Sequence, residues 1–291
     1  MTNLSNQAQV RKRFRFFKTI CKTFSLIIVF TLFSNLTINA QEKKEELTKD
    51  NYQPFNAGLH LKNMHIWHGF LVQPGPIFAT NLEYNSRNKK ITLGLWGGSS
   101  FASTDVGQDQ NGNNVTGNYK EVSMYAVYRF NTRFFTEVVS HNNYTGVAER
   151  GEDLNYFSYD RDQTYNFIDV NFGYQITPSF SLYAGTILFG QASDTELQPD
   201  GSLDNNWTTY VEAKAKLYDK DGYQLTGVVA GAFSLVTEKT FYTEEQANII
   251  NVSLVLAKKI NWGNFTVPVE VTGMWNPEKK ITVLQVDLTL F

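Results

Sequence analysis

Residues 119–130 read Tyr-Lys-Glu-Val-Ser-Met-Tyr-Ala-Val-Tyr-Arg-Phe. Val122, Met124, Ala126, Tyr128 and Phe130 fall on one parity, and Glu121, Ser123, Tyr125 and Arg129 on the other. In a strand, side chains alternate between faces, so this stretch has one apolar and one ionisable face. Mid-strand charges are costly against hydrocarbon, so the ionisable face must look into an enclosed aqueous space. Three further stretches follow the same rule. In 207–217, Trp207, Val211, Ala213, Ala215 and Leu217 oppose Tyr210, Glu212, Lys214 and Lys216. In 263–275, Phe265, Val267, Val269 and Val271 oppose Glu270 and Thr272. In 281–291, Leu284, Val286, Leu288 and Leu290 oppose Gln285, Asp287 and Thr289.

Weaker segments lie at 56–70, 75–84, 90–99, 133–143, 163–176, 179–190, 223–234 and 247–259. Together they predict an all-β fold, a closed antiparallel transmembrane β-barrel of about twelve strands of the bacterial outer-membrane type. Short connections near Asn85–Lys89, Asn131–Thr132, Thr177–Pro178, Asp219–Gly222 and Ile260–Trp262 alternate with long polar ones near 100–118, 144–161, 191–206 and 235–247. Such barrels pair short periplasmic turns with long outer loops; the last outer connection, Asn276–Lys279, is expected to be short. Tyr84, Phe130, Phe134, Tyr174, Phe180, Tyr223 and Trp262 flank the short turns, and Trp96, Tyr119, Trp207, Phe233 and Trp275 the outer connections. That placement predicts two interfacial aromatic girdles. A soluble sandwich would not keep its outward face so apolar.

The first 40 residues read as a signal peptide. A basic leader (Arg11, Lys12, Arg13, Arg15, Lys18, Lys22) precedes an apolar run from Phe24 to about Leu36, and Ala40 stands at the expected cleavage position. Residues 41–54 are expected to be a flexible periplasmic lead-in, and 55–291 the barrel. Loss of six basic residues would take the net charge from −2 to −8, which disfavours nucleic acid as a partner. Cys21 is the single cysteine, so the remainder can form no disulfide.

Phe291 ends the chain as an aromatic residue read by barrel-assembly machinery would, although the apolar set of that strand is one residue out of phase with it. Three stretches resemble the TorF-like family of porins: His65-Ile66-Trp67-His68-Gly69-Phe70, Gly94-Leu95-Trp96-Gly97-Gly98-Ser99 and Tyr119–Phe130. That family tends to carry Trp-Arg-Gly in its first strand, where His68 replaces the Arg, and Gly-x-Trp-Gly-Ser in its third, where an extra Gly enters. The resemblance implies a channel without catalytic residues.

No motif points to chemistry at a fixed site. His65 and His68, three apart on one strand, would face opposite ways; His60 and His68 would share a face about 26 Å apart at ~3.3 Å per residue. No metal site is expected. No His is followed two residues on by Ser, as an outer-membrane phospholipase would require. Asp109-Gln110-Asn111-Gly112-Asn113 fails the calcium-loop pattern, with Lys120 at its twelfth position. No cofactor is expected.

The residues expected to line the lumen are Lys62, Glu83, Glu121, Arg129, Glu137, Asp169, Glu212, Lys214, Lys216, Glu270 and Asp287. They can line water, or pair across a narrow interior and close it. The four long connections carry thirteen acidic and three basic residues, so the mouth should favour cations. The expected function is a passive channel for small hydrophilic solutes or ions with weak cation preference, in contact with outer-membrane lipid. Two alternatives are a non-conducting structural or surface-binding barrel, and an enzyme acting on lipid or glycan.

Overall fold

A computed structural model describes residues 52–160, 164–190, 194–244, 247–263 and 265–291. The expected signal peptide and most of the expected lead-in lie outside the described residues. Among the described residues sixteen strands form: β1 Phe55–Lys62, β2 His65–Trp67, β3 Phe70–Gln73, β4 Ile77–Asn85, β5 Ile91–Gln108, β6 Asn114–Arg129, β7 Phe134–Asn143 and β8 Phe167–Thr177. The rest are β9 Phe180–Gly190, β10 Thr195–Leu197, β11 Leu203–Asn205, β12 Thr209–Lys220, β13 Tyr223–Phe233, β14 Asn248–Trp262, β15 Phe265–Asn276 and β16 Ile281–Thr289.

Twelve of these close into one antiparallel barrel, in the order β1-β16-β15-β14-β13-β12-β9-β8-β7-β6-β5-β4. Closure leaves no sheet edge, which is the condition for strands to sit in lipid with their backbone groups paired. The outward face is apolar: Leu82, Leu93, Leu95, Val122, Val138, Phe172, Val229, Leu254 and Leu284 are all exposed. Among the described residues no helix is long and apolar enough to cross a membrane.

The seam is the shortest pairing in the wall. β1 meets β16 at three registered positions, His60 with Thr289, Leu61 with Leu288 and Lys62 with Asp287. Past Lys62 the first strand leaves the sheet, and Asn63 seals its exit. The Asn63 side chain donates to Leu284 O at 3.0 Å and accepts from Val286 N at 2.7 Å, while its backbone N donates to Val286 O. At the other end of the seam, Leu59 N donates to Phe291 O and Leu290 N to Leu59 O.

Several expectations need correction. The first strand does not run from 56 to 70; it stops at Lys62, and residues 65–73 form a separate two-stranded hairpin of β2 and β3. The turn between them takes His68 to φ 47° and Gly69 to φ 79°, a reversal that period-two alternation does not reveal. His60 and His68 therefore do not share a strand face. The stretch 100–118 is not a loop, because β5 and β6 continue as a long hairpin to a turn at 109–113. Beyond the membrane those strands need no apolar face, so the hydropathy signal faded while the pairing persisted. β14 runs through Trp262, past the turn expected at 260–262, and Trp207, at φ 53°, precedes β12. Trp96 and Tyr119 belong to no outer girdle: they share register and face with Gly98 and Glu121, inside the wall.

Two glycines make room for inward rings. A Cβ at Gly94 would come within 2.1 Å of the Tyr125 ring, and one at Gly173 within 2.1 Å of Phe135. Each aromatic lies flat over a cross-strand glycine, an arrangement that pins register. Gly94→Ala and Gly173→Ala should each destabilise the barrel by about 1–3 kcal/mol through overpacking. Tyr125→Ala should recover part of the Gly94→Ala loss in the double variant. Urea titration of the folded barrel in lipid reads both; additive losses would mean that the contact is not the cause.

Candidate functional site

Register places all eleven ionisable residues named from the sequence on the face opposite the exposed Leu, Val and Phe set. Most are paired within the wall. Asp287 lies 3.0 Å from both Lys62 Nζ and His60 Nδ1. Glu83 accepts from Tyr125 at 2.7 Å, and Arg129 donates to Thr92 at 2.8 Å. Glu121 accepts from Tyr119 and Ser123. Asp169 accepts from Asn171 at 2.8 Å, and Asn171 stands opposite Glu137 in the register. Glu212 accepts from Tyr210 and pairs with Lys214 at 2.8 Å, and Lys216 pairs with Asp219 at 2.7 Å. Glu270 faces Asp287 across β15 and β16. The pairs are between near neighbours, so they do not themselves fill the centre of the barrel.

The centre is filled by the hairpin. Twelve strands at ~4.8 Å spacing and a tilt of about 40° enclose roughly 24 Å between opposite backbones. Wall side chains from both sides leave a gap near the ~10 Å thickness of one sheet layer. β2 and β3 pair only with each other and stand in this gap. His65 stacks on Trp96 at 5.3 Å and lies 5.7 Å from Tyr119. Trp67 meets His141 at 5.2 Å, Phe167 at 5.9 Å and Tyr242 at 5.8 Å. His68 stacks on Tyr210 at 4.0 Å with planes 9° apart. The hairpin thus reaches from the β5/β6 wall to the β12 wall. Three polar hooks hold it: Ile66 N donates to Gln285 Oε1 (2.9 Å), Asn276 Nδ2 donates to Gly69 O (2.9 Å), and His68 Nδ1 lies 3.0 Å from the Tyr242 hydroxyl.

A second connection completes the closure. Residues 234–244 turn inward, burying Thr240, Tyr242 and Thr243 and setting Phe241 against Trp67 and Phe70. This connection is tied to the one before β12: Phe241 N donates to Thr208 Oγ1 at 2.7 Å, and Thr208 Oγ1 donates to Asp194. All the inserted chain enters from the end with the long connections. Toward the short-turn end the inward side chains of Asn56, Lys214, Gln224 and Glu270 are exposed. The lumen is therefore a wet vestibule on one side and a packed aromatic core on the other.

Beneath the hairpin, His141 sits between two carboxylates. Its Nε2 lies 3.2 Å from Asp169 and its Nδ1 3.7 Å from Glu121, with Phe167 stacked at 4.4 Å. Residue types alone did not single out His65, Trp67, His68, Tyr210 or Tyr242 as a group. Parity offered part of the signal, since Tyr119 shares parity with Glu121, and Tyr210 with Glu212. Among the described residues no cluster of His, Cys, Asp or Glu is placed to hold a metal ion.

No protein-family model matches the chain, and no curated protein does. The chain is similar to several solved structures. A Pseudomonas aeruginosa FadL homologue is 12% identical with TM-score 0.37, over 82% of this chain and 75% of that one. The CymD monoaromatic hydrocarbon channel is 10% identical with TM-score 0.40, over 82% and 88%. The Ralstonia pickettii toluene transporter TbuX is 11% identical with TM-score 0.34, over 81% and 87%.

Two substitutions test this closure. His141→Ala strands two buried carboxylates and should cost about 3 kcal/mol or more in urea unfolding. A loss under about 1 kcal/mol would mean that Glu121 and Asp169 are satisfied without it. Asp194 is buried in the connection before β12, and burial pushes its carboxyl up to about 6. A raised carboxyl favours the folded state below its ordinary value near 3.8, and this benefit is lost as pH rises through about 6. Hydrogen exchange at the Thr208 and Phe241 amides, corrected for intrinsic rates, should slow as pH falls through 6. Asp194→Asn should abolish that step.

Proposed function

We propose that this chain is an outer-membrane channel for small hydrophilic solutes or ions, held shut by its own first outer connection. The observation that carries the reading is that a separable hairpin, not the wall's side chains, occupies the middle of the lumen. Wall side chains that filled the lumen would make a solid structural barrel. A self-paired insert attached through rings and three polar hooks can leave without breaking the wall. The open vestibule, with Lys214 and Glu270 in water, supports a path that continues once the insert moves. Export by a cleaved leader, assembly through the last strand and Phe291, and passive diffusion without catalysis all belong to this reading. A weak cation preference follows from thirteen acidic against three basic residues in the outer connections.

The geometry supplies its own test. Lys62 and Ile77 are registered partners, so an Asn-Gly turn can replace residues 63–76 and join β1 to β4 directly. In planar bilayers the full chain should conduct rarely and briefly, and the shortened chain should stay open. If the shortened chain folds, as judged by heat-modifiable mobility, yet carries no current, the barrel is a structural or surface-binding one. In a salt gradient the open form should show a reversal potential of cation sign. Anion selectivity would remove the proposed preference while leaving the channel.

A further inference from the structure

The hairpin tip is built unlike an ordinary tight turn. Two-residue turns of this hand favour Asn-Gly because both positions take positive φ. Here the first position is His68, at φ 47°, a conformation uncommon for L side chains that His, like Asn and Asp, adopts more readily than most. The Gly that follows is fixed by contact, because a Cβ at Gly69 would lie 2.4 Å from Ile250 O. A non-Gly residue at a tip pressed into the wall is informative when its side chain makes specific contacts.

Those contacts are of a ligand's kind. The imidazole of His68 lies parallel to the Tyr210 ring, is covered on its other side by Trp67 at 4.2 Å, and is met edge-on by Tyr183 at 5.9 Å. One ring nitrogen reaches the Tyr242 hydroxyl. Beside it a small cavity is lined by His68, Tyr210, Tyr242, Asp169, Asn171 and Thr208. Asn171 is only 1% exposed. Its Nδ2 donates to Asp169, while its Oδ1, accommodated by the missing side chain of Gly185, has no hydrogen-bond partner. The slot therefore offers a flat aromatic floor, a hydroxyl and an unused buried acceptor.

We propose that the slot formed by Tyr210, Asp169 and Asn171 of the wall and Tyr242 of the inward connection is a binding site for a planar, N–H-bearing heteroaromatic ring of a solute, and that His68 is its resident internal occupant. This rests on the reading above that the hairpin can leave the lumen. Ring and tip compete for one place: a bound ring holds the hairpin out, and the seated tip excludes the ring. Stacking on Tyr210 sets the planar shape, and the Tyr242 hydroxyl, 3.0 Å from the ring nitrogen of the resident His68, favours rings with a hydrogen-bonding nitrogen over hydrocarbon rings of the same size; the unpaired Asn171 Oδ1 lines the cavity beside them. The tethered His68 competes at an effective concentration of order millimolar, so the slot in the native chain binds free rings weakly.

The test uses the full-length barrel in detergent with imidazole as probe and thiophene, which has no N–H, as control. His68→Gly empties the slot and relieves the backbone, and His68→Asn is a second variant whose side chain also suits positive φ. Saturation-transfer NMR and the thermal midpoint should show imidazole half-saturating both variants at concentrations about tenfold or more below those for the native chain. Tyr210→Leu or Tyr242→Phe added to His68→Gly should weaken imidazole binding, and thiophene should not compete. Equal affinity in native and variant chains, binding indifferent to Tyr210, or thiophene binding as well as imidazole would each overturn the proposal. Binding is read without current: binding with no conductance sinks only the channel, and conductance with no binding sinks only this site.

Discussion

Closure of the sheet is the constraint from which the rest follows. A strand in lipid has no water to bond its backbone, so the wall must return to its first strand with no edge left over. Closure then fixes the sidedness of every residue. Odd positions in 121–129 face in and even ones out, and the same parity is carried strand by strand through Gly98–Glu121, Ser123–His141, Val139–Asp169 and Glu270–Asp287 back to Lys62. The seam between β1 and β16 is closed although short, because Asn63 continues with its side chain the pairing that its departing backbone gives up.

A closed wall of this size creates a second constraint. Eight strands are filled by their own side chains and sixteen leave a channel, so twelve enclose a gap that must hold water or chain. The structure does both, on opposite sides. On the short-turn side, exposed Lys214 and Glu270 keep the interior wet. On the other, Ile77, Tyr119, Tyr210, Ile250 and Met274 are almost wholly buried beneath the hairpin and the connection carrying Tyr242. Buried wall carboxylates are tolerable there because each has partners: Glu121 has Tyr119 and Ser123, Asp169 has Asn171, and His141 lies between them.

Sequence reading reached the wall and missed the insert for one physical reason. Period two reports which side of a sheet a residue faces, and nothing about which sheet it belongs to. Strand β6 was legible because Glu121 and Arg129 cannot face lipid. The run His65-Ile66-Trp67-His68-Gly69-Phe70 alternates just as well, so it joined the first strand, although the positive φ at His68 folds it back into the lumen. Trp96 and Tyr119 lie near the ends of the apolar stretches, where lipid-interface aromatics gather. Their parity with Gly98 and Glu121 already turned them inward. The extension of β5 and β6 was hidden in the opposite way: once outside the membrane its strands lost the apolar parity that marks a wall.

The character of the insert also bears on what could move it. Residues 63–76 contain no Asp, Glu, Lys or Arg. A membrane potential acts on charge, at about 2.3 kcal/mol per elementary charge per 100 mV, so it has little hold on this segment. Salt, which screens exposed charges, has little hold on it either, because the insert is kept by ring faces and by bonds from Gln285, Asn276 and Tyr242. If the insert moves as proposed, what would displace it is a competitor for those same faces and bonds. On the proposed reading, an insert without Asp, Glu, Lys or Arg, seated by aromatic stacking, would answer to the chemistry of a solute before it answers to voltage.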